Sequence, residues 1–538
     1  MTIDPNTVVR DLLAEYGSPT ACAAELLCDR HPAGDIAFTI VESDLSAADI
    51  TYGELRERSG RFAAALADLG IEPGDRVATL MGKSADLLTV LLGIWRRGAV
   101  HVPLFTAFAP AAIAFRLTAS GAKVVVADAD QQSKLNPGED VPADPIWRVI
   151  VAGGAGELSL DALLARYPAD DPRGAAVAVG ADGILVQLYT SGTTGTPKGV
   201  PVPVRALAGL VGYQRFALDV RADDVYWNIA DPGWAYGLYY AILSPLASGT
   251  RSLLLHSGFS APLTRQVLEK FGVTNLAAAP TVYRALRADD ESAWAGVRLR
   301  RASSAGEPLT PDIPAWSERA LGIAVRDHYG QTEHGMLIAN SWHDALRAEV
   351  RPGSMGKPLP GTTLAVIDEN SDRVLAPGEQ GRVVVDTRTS PAIWFTGYVD
   401  APEQTASRYT ADGRWYLTGD AGTVDADGFF YFSARDDDVI IMAGYRIGPF
   451  DVESVLVLHE AVLEAAVVGM PDDLRGEVLE AFVVLANGFR GGPELEAELQ
   501  RLVKTKFAAH AYPRTVHFVD ALPKTPSGKV QRFLLRQR

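Results

Sequence analysis

Between Tyr52 and Asp128 the spacing of apolar residues switches repeatedly between a helical and a strand period. Leu55, Phe62, Ala63, Leu66 and Leu69 recur at helical intervals, and Gly70 is placed to end that helix. Arg76-Val-Ala-Thr-Leu80 then reads as a strand, and Ser84 as the cap of a second helix running to Gly98. Val100-His-Val102 reads as a short strand and Lys123-Val-Val-Val-Ala-Asp128 as a buried one. This alternation predicts an α/β unit with parallel strands. The polar stretch 131–144, with Pro137 inside it, reads as a surface loop.

A second α/β stretch covers about 184–325, opened by the strand-like Ile184-Leu-Val-Gln-Leu-Tyr189, which feeds a Gly/Thr-rich loop. From about 351 to 432 the texture changes. Turn signals at Pro360-Gly361, Pro377-Gly378 and Asp427-Gly428 separate short Val-rich runs and predict a β-rich portion. After Arg435 come three consecutive aspartates, 436–438, and then about a hundred residues with two amphipathic helices and several strands. The expected fold class is therefore α/β. A large N-terminal domain, 1–434, holds two α/β subdomains plus a β-rich subdomain, 435–438 connect it onward, and 439–538 form a small α+β domain.

At 538 residues and 57.5 kDa the chain is too long for one core, and 47% apolar with 22% charged residues excludes a disordered or fibrous protein. Fifty Lys and Arg against 66 Asp and Glu give a net charge of −16, so nucleic acid is not expected as a partner, although a local basic pocket for a nucleotide remains open. Cys22 and Cys28 alone offer neither a disulfide scaffold nor a metal cluster, and a reducing cytoplasm is the expected compartment. The opening Met1-Thr-Ile-Asp-Pro-Asn lacks a signal-peptide pattern. The most apolar helical stretch, 87–95, is far short of the ~20 residues that span a bilayer. None of this fixes an oligomeric state.

The most informative segment is Tyr189-Thr-Ser-Gly-Thr-Thr-Gly-Thr-Pro-Lys-Gly199. Glycines 192, 195 and 199 let backbone N–H groups approach an anion, hydroxyls crowd Thr190, Ser191, Thr193, Thr194 and Thr196, and Lys198 adds a point charge. It is a phosphate cradle but not a Walker loop, because Pro197 and Gly199 flank the lysine where Gly and a hydroxyl would be required.

Six motifs in order carry a resemblance: this loop, Ala305-Gly-Glu-Pro308, Tyr329-Gly-Gln-Thr-Glu333, Tyr416-Leu-Thr-Gly-Asp420, Arg435 to Gly448, and Pro523-Lys-Thr-Pro-Ser-Gly-Lys529. Together they resemble the adenylate-forming superfamily, which includes acyl- and aryl-CoA synthetases, firefly luciferase and the adenylation domains of peptide synthetases. Asp231-Pro-Gly-Trp234, Ala443-Gly-Tyr-Arg-Ile-Gly-Pro449 and Pro471-Asp-Asp-Leu-Arg-Gly-Glu477 look most like medium-chain acyl-CoA synthetases.

The resemblance implies an AMP-forming acid–thiol ligase using ATP, Mg²⁺ and coenzyme A. A carboxylate attacks the ATP α-phosphate, and the CoA thiol then attacks the acyl adenylate. It further implies that Glu333 serves as the magnesium carboxylate and Thr332 as a phosphate-facing hydroxyl. Gly306, Glu307 and Pro308 with Tyr329 would bracket the adenine, Asp327, His328, Gly330 and Gln331 would also bind ATP or AMP, Asp420 and Arg435 would hold the ribose, and Lys529 would be the catalytic lysine of adenylation. Asp437 would be a hinge about which the C-terminal domain is mobile. Its swing would present Ala443, Gly444 and Tyr445 to the pantetheine arm and Arg446 to the AMP phosphate, with Arg475 and Tyr512 contacting CoA.

Candidate acyl-pocket residues are Trp234, Tyr236, Tyr239, Tyr283, Gly330, His334 and Met336. Acetyl-CoA synthetases carry Trp where Gly330 stands, so the expected acid is larger than acetate (medium-chain, branched or aryl), and Gly330→Trp is expected to invert that preference. Two other readings stay open at this point: an enzyme that adenylates an amino or aryl acid and loads a carrier protein, and a catalytically silent nucleotide-binding relative.

Overall fold

The computed structural model describes residues 4–190, 197–288, 290–435, 438–442, 445–472, 476–508, 510–525 and 529–537. Among them the chain forms three sheets. The first, six-stranded, runs in the order Arg148–Ala152, Val124–Asp128, Arg76–Leu80, Val100–Pro103, Ile184–Thr190 and Lys198–Pro203. All its neighbours are parallel except the last pair. Its helices form where the apolar spacing and caps require them. Thr51 and Glu54 close a capping box on Tyr52–Asp68, and Ser84 Oγ accepts from Leu87 N at 3.2 Å to start Ala85–Arg96. The polar stretch after Asp128 is more than surface loop, because Leu135, Val141 and Trp147 are buried and pin it to this subdomain's core.

The second sheet is built on five parallel pairings among Ile36–Glu42, Ser252–His256, Tyr226–Asn228, Asn275–Ala278, Arg301–Ser304 and Arg326–Gln331. It does not stop there. Gly335–Ala339 folds back antiparallel on Arg326–Gln331, and Ser354–Pro358, Phe430–Arg435, Trp415–Val424, Gly381–Asp386 and Leu364–Ile367 follow, giving thirteen strands with Ala47–Thr51 at the far edge. The β-rich portion anticipated from the turn signals is thus an antiparallel extension of the parallel sheet.

The third sheet joins Tyr445–Ile447, Ile440–Met442, Gly476–Leu485, Val462–Asp472 and Thr515–Phe518, and it has its own core around Val452, Leu456, Val467, Leu479 and Leu499. Helices Pro449–Leu456 and Pro493–Lys506 pack on it, as the amphipathic patterns predict. The protein is α/β, with a large N-terminal and a small C-terminal domain. No helix among the described residues is long and apolar enough to cross a membrane.

Candidate active site

The carboxyl ends of the parallel strands in the first two sheets face one another, and Thr190, Asp128, His256, Asp231, Ala279 and Ala305 all stand at or just beyond those ends. Open α/β sheets place ligands at such ends. A cleft of about 1820 Å³ opens there, closed on one side by the C-terminal domain through Leu463, Glu464, Lys524, Lys529 and Arg532.

Asp420 is the polar centre of one wall. Strand pairing sets it opposite Arg435, and Arg435 Nη1 lies 3.1 Å from Asp420 Oδ1. Tyr329 Oη and Gln331 Nε2 both donate to the other oxygen, the latter at 2.7 Å. A carboxylate has about four acceptor sites, so capacity remains on Oδ1 for a sugar hydroxyl. Burial, reinforced by the Asp420 charge, pushes the Tyr329 hydroxyl well above the ordinary tyrosine pKa, which keeps it a donor. Gly419 turns the strand at φ 73°, in the left-handed region that favours glycine.

Glu333 is 7% exposed, and Tyr398 Oη donates to its Oε1 at 2.8 Å. Arg408 Nε donates to Tyr398 Oη at 3.0 Å, and Lys198 Nζ lies 5.3 Å from the centre of the Tyr398 ring. Burial and the neighbouring Arg408 draw Lys198 below the ordinary lysine pKa, against the opposing pull of Glu333. One carboxylate and two cations therefore converge on Tyr398. Thr332 lines the same wall, with its carbonyl accepting from Tyr239 Oη at 2.8 Å.

On the opposite wall Glu307 accepts from Arg284 Nη2 at 2.7 Å, while its Oε1 is buried without a partner and burial raises its pKa. Asp327 lines the cleft with Oδ1 likewise unsatisfied, and burial raises its carboxyl well above the usual range. Buried polar atoms left without partners are costly, so both read as acceptors or donors kept for a ligand. His328 Nδ1 meets Tyr213 Oη at 2.8 Å, and burial drops its pKa to about 3, so the imidazole is neutral.

Lys529 enters from the C-terminal domain. It is open to solvent at the cleft wall, and the surrounding protein together with Arg435 holds its ammonium below the ordinary lysine pKa, opposed by Glu307, Asp420 and Glu333. Motifs more than a hundred residues apart in sequence thus meet around one volume.

Five of the seven acyl-pocket candidates lie on the cleft. Trp234, Tyr236, Tyr239, Gly330 and Met336 line the cleft. Tyr283 does not: it is fully buried in the second-sheet core and donates to Ser303 O at 3.0 Å. His334 is also core, 4% exposed, edge-on to Tyr416, with Nδ1 3.0 Å from Gly335 O. Trp234 packs against Phe105 and Phe108, a wall formed by the first sheet's loops.

Several lining residues carry no motif and escaped the sequence reading: Tyr398, Arg408, Tyr240 and Lys83, the last set near Asp231 of the Asp231-Pro-Gly-Trp234 motif. Lys83 and Asp231 are opposite charges at the ends of different sheets, and burial pulls Lys83 down and pushes Asp231 up. Ser191, Gly192, Thr193, Thr194, Gly195, Thr196, Asp437, Ala443, Gly444 and Arg475 lie outside the described residues, as do the side chains of Tyr445 and Arg446. Thr190, Pro197 and Lys198, which flank the first of these, lie at the ends of the antiparallel pair Ile184–Thr190 and Lys198–Pro203.

Most of the residues that build this cleft lie in stretches matched by known family models. The model for the AMP-binding enzymes covers residues 27–398, and that for the AMP-binding enzyme C-terminal domain covers 451–529. The chain belongs to the AMP-binding enzyme family. It is 37% identical over 495 residues to the acetyl-coenzyme A synthetase of Bacillus subtilis (strain 168), which spans 90% of this chain and 84% of that protein. The crystal structure of Brucella canis acyl-CoA synthetase superposes with a TM-score of 0.77 at 44% identity, covering 100% of this chain and 97% of that one. That of the anthranilate CoA ligase AuaEII with anthranoyl-AMP gives 0.84 at 28% identity, covering 96% and 97%. Within this AMP-binding enzyme, the motifs recognised in the sequence fall inside the two matched regions or in the stretch between them.

Proposed function

We propose that the protein is an AMP-forming acyl-CoA synthetase acting on a carboxylic acid larger than acetate, through a hinge at 435–438. The acid's carboxylate oxygen attacks the ATP α-phosphorus, pyrophosphate leaves, and the CoA thiolate then displaces AMP from the acyl carbonyl. The observation that carries this reading is the placement of Lys529 on the cleft wall within the electrostatic reach of Glu307, Asp420 and Glu333. An ammonium there stabilises the negative charge that develops between the attacking carboxylate and the phosphate. Asp420 and Arg435 orient the ribose, Asp327 and Glu307 offer polar atoms to the adenine, and Lys198 with Arg408 draws the phosphates.

The residues present also fit a magnesium ion. Mg²⁺ takes one or two carboxylates plus substrate oxygens, and Glu333 supplies one carboxylate, held in place by Tyr398 through Oε1 alone. When bound, the ion neutralises phosphate charge; Glu333 would hold it and Tyr398 would fix the carboxylate's orientation. The acid would lie toward Tyr236, Tyr239, Tyr240 and Met336, which line the cleft beside Glu333.

CoA as the acceptor, rather than a carrier protein, is favoured by Tyr512. Lys504 Nζ and the Arg514 guanidinium lie 3.8 and 3.9 Å from its ring centre, which makes a cationic seat suited to the phosphates of a nucleotide. Lys504 had no motif to reveal it. Lys504→Ala and Tyr512→Ala, like Arg475→Ala, are expected to raise the KM for CoA about tenfold, the weight of one charge-assisted contact, and to leave acid-dependent pyrophosphate exchange intact. Equal losses in both half-reactions would remove these residues from the CoA site.

The reading is tested by supplying ATP, Mg²⁺, CoA and a series of acids from acetate to octanoate, with benzoate, and measuring AMP and pyrophosphate release with and without CoA. Hexanoate or a similar acid is expected to exceed acetate by at least ~10-fold, the worth of about one well-packed methylene. No acid-dependent pyrophosphate release would overturn the activity, and a strong preference for acetate would overturn the substrate class.

A further inference from the structure

Lys529 makes no ion pair among the described residues, so its position is set by the loop that bears it. That loop closes on itself. Thr525 N donates to Lys529 O at 2.8 Å, Lys529 N to Thr525 Oγ1 at 3.1 Å, and Gln531 N to Pro523 O at 2.8 Å. A self-closed hairpin still needs fastening to the body of the protein. Lys524 provides it, reaching both carboxylate oxygens of Glu464 at 2.6 and 2.8 Å.

Glu464 lies in Val462–Asp472 of the C-terminal sheet, yet its Oε1 is also 3.7 Å from Nε of Arg284, which belongs to helix Pro280–Arg287 of the N-terminal domain. Arg284 in turn donates to Glu307 in the nucleotide wall. One turn further along the same helix, Arg287 Nη2 approaches Leu463 O at 3.5 Å. Four charges of alternating sign, Glu307, Arg284, Glu464 and Lys524, therefore run from the adenine side to the root of the Lys529 loop. Their side chains are 11%, 18%, 20% and 28% exposed. Largely shielded networks of this kind are sensitive to the loss of a single member.

We propose that Glu464 is a positioning residue for adenylate formation: it fastens the Lys529 loop through Lys524 and registers it against the nucleotide pocket through Arg284. This rests on the adenylate-forming reading above. Glu464 touches neither substrate nor the reacting atoms in that scheme. It acts by fixing where the Lys529 ammonium stands, and a misplacement of about 1 Å can cost ~10²-fold in rate. The chain of charges crosses between the domains, so it exists only while the C-terminal domain presents Lys529. The thioester-forming step, for which Lys529 is withdrawn, has no use for it.

The test measures the two half-reactions separately in the full-length protein. Glu464→Gln and Lys524→Met are each expected to slow acid-dependent pyrophosphate exchange about tenfold through kcat, with the KM for ATP within about twofold of wild type. Consumption of synthetic acyl adenylate by CoA should be unchanged. The double variant should be no slower than the worse single one, because both break one link, and Glu464→Asp should recover most of the rate. Unchanged exchange in Glu464→Gln, equal losses in both half-reactions, or multiplicative losses in the double variant would each overturn the proposal. Absence of exchange in the wild-type protein would instead overturn the functional reading on which it stands.

Discussion

Replacing Lys529 by alanine is expected to slow acyl-adenylate formation by about 10²–10³-fold, the usual consequence of losing one preorganised charge at a developing anion. The reason is geometric. Lys529 reaches the wall that holds Asp420 and Glu333, whose charges act directly on its ammonium. Consumption of supplied acyl adenylate by CoA should survive, since the proposed second step proceeds with the lysine withdrawn. The complementary variant, Asp437→Pro, fixes one backbone angle at the proposed hinge and should spare adenylate formation while blocking thioester formation. Stopped-flow or quenched measurements of each half-reaction decide the matter: matching defects in both steps for both variants would refute domain alternation.

Gly330 carries the second large expectation, and here the structure changes the experiment that the sequence invites. The residue sits at a register shift in the hairpin between Arg326–Gln331 and Gly335–Ala339. A Cβ built on it would lie 2.2 Å from Gly335 O and 2.6 Å from Met336 Cα, both backbone atoms that cannot swing aside. Gly330→Trp is therefore expected to lower activity toward every acid, and Gly330→Ala to lower the Tm by several degrees, in line with an overpacking cost of about 1–3 kcal/mol or more. Neither should simply invert chain-length preference. The pocket is better narrowed at Met336, which faces Gly330 across the hairpin and already has a Cβ. Met336→Phe should lower the hexanoate-to-acetate ratio with little change in Tm. A Gly330→Trp protein with wild-type Tm and a preference for acetate would show that the hairpin yields more easily than its backbone contacts indicate.

How far the site was legible follows from what kind of constraint each residue answers to. Lys529, Glu333, Asp420 and the Thr/Gly loop stand in short strings whose chemistry depends on neighbours along the chain, and those strings are visible without a fold. Tyr398 and Arg408 answer to a contact across space. Arg408 reaches Tyr398 from ten residues away and donates to Thr418 O from a turn, and nothing local marks either. Tyr283 and His334, two of the seven acyl-pocket candidates, lie off the cleft for a different reason. Tyr283 lies on a helix whose neighbours Val282 and Arg284 line the cleft, and one position of rotation turns it into the core. His334 lies in the turn after Glu333 and faces Tyr416. Composition tells that aromatic residues will be buried, but not on which face. The element pattern was legible for the helices capped by Thr51 and Ser84, whereas the union of the β-rich strands with the parallel sheet was not, since ladder pairing joins strands distant in sequence.

That union has a mechanical consequence. The strand bearing Tyr329 and the strand bearing Asp420 belong to one thirteen-stranded ladder, while the sheet behind Lys529 shares no hydrogen-bonded edge with it and keeps a separate core. A rotation of the smaller domain therefore leaves every ladder and both cores intact. What it must rearrange is a set of interface contacts, including the Arg284–Glu464 pair, the approach of Arg287 to Leu463 and the packing of Phe450 on Phe432, so the barrier to turning is a friction of interfaces, not a partial unfolding. Heat should find the same seam, and the smaller domain can melt while the nucleotide platform still stands.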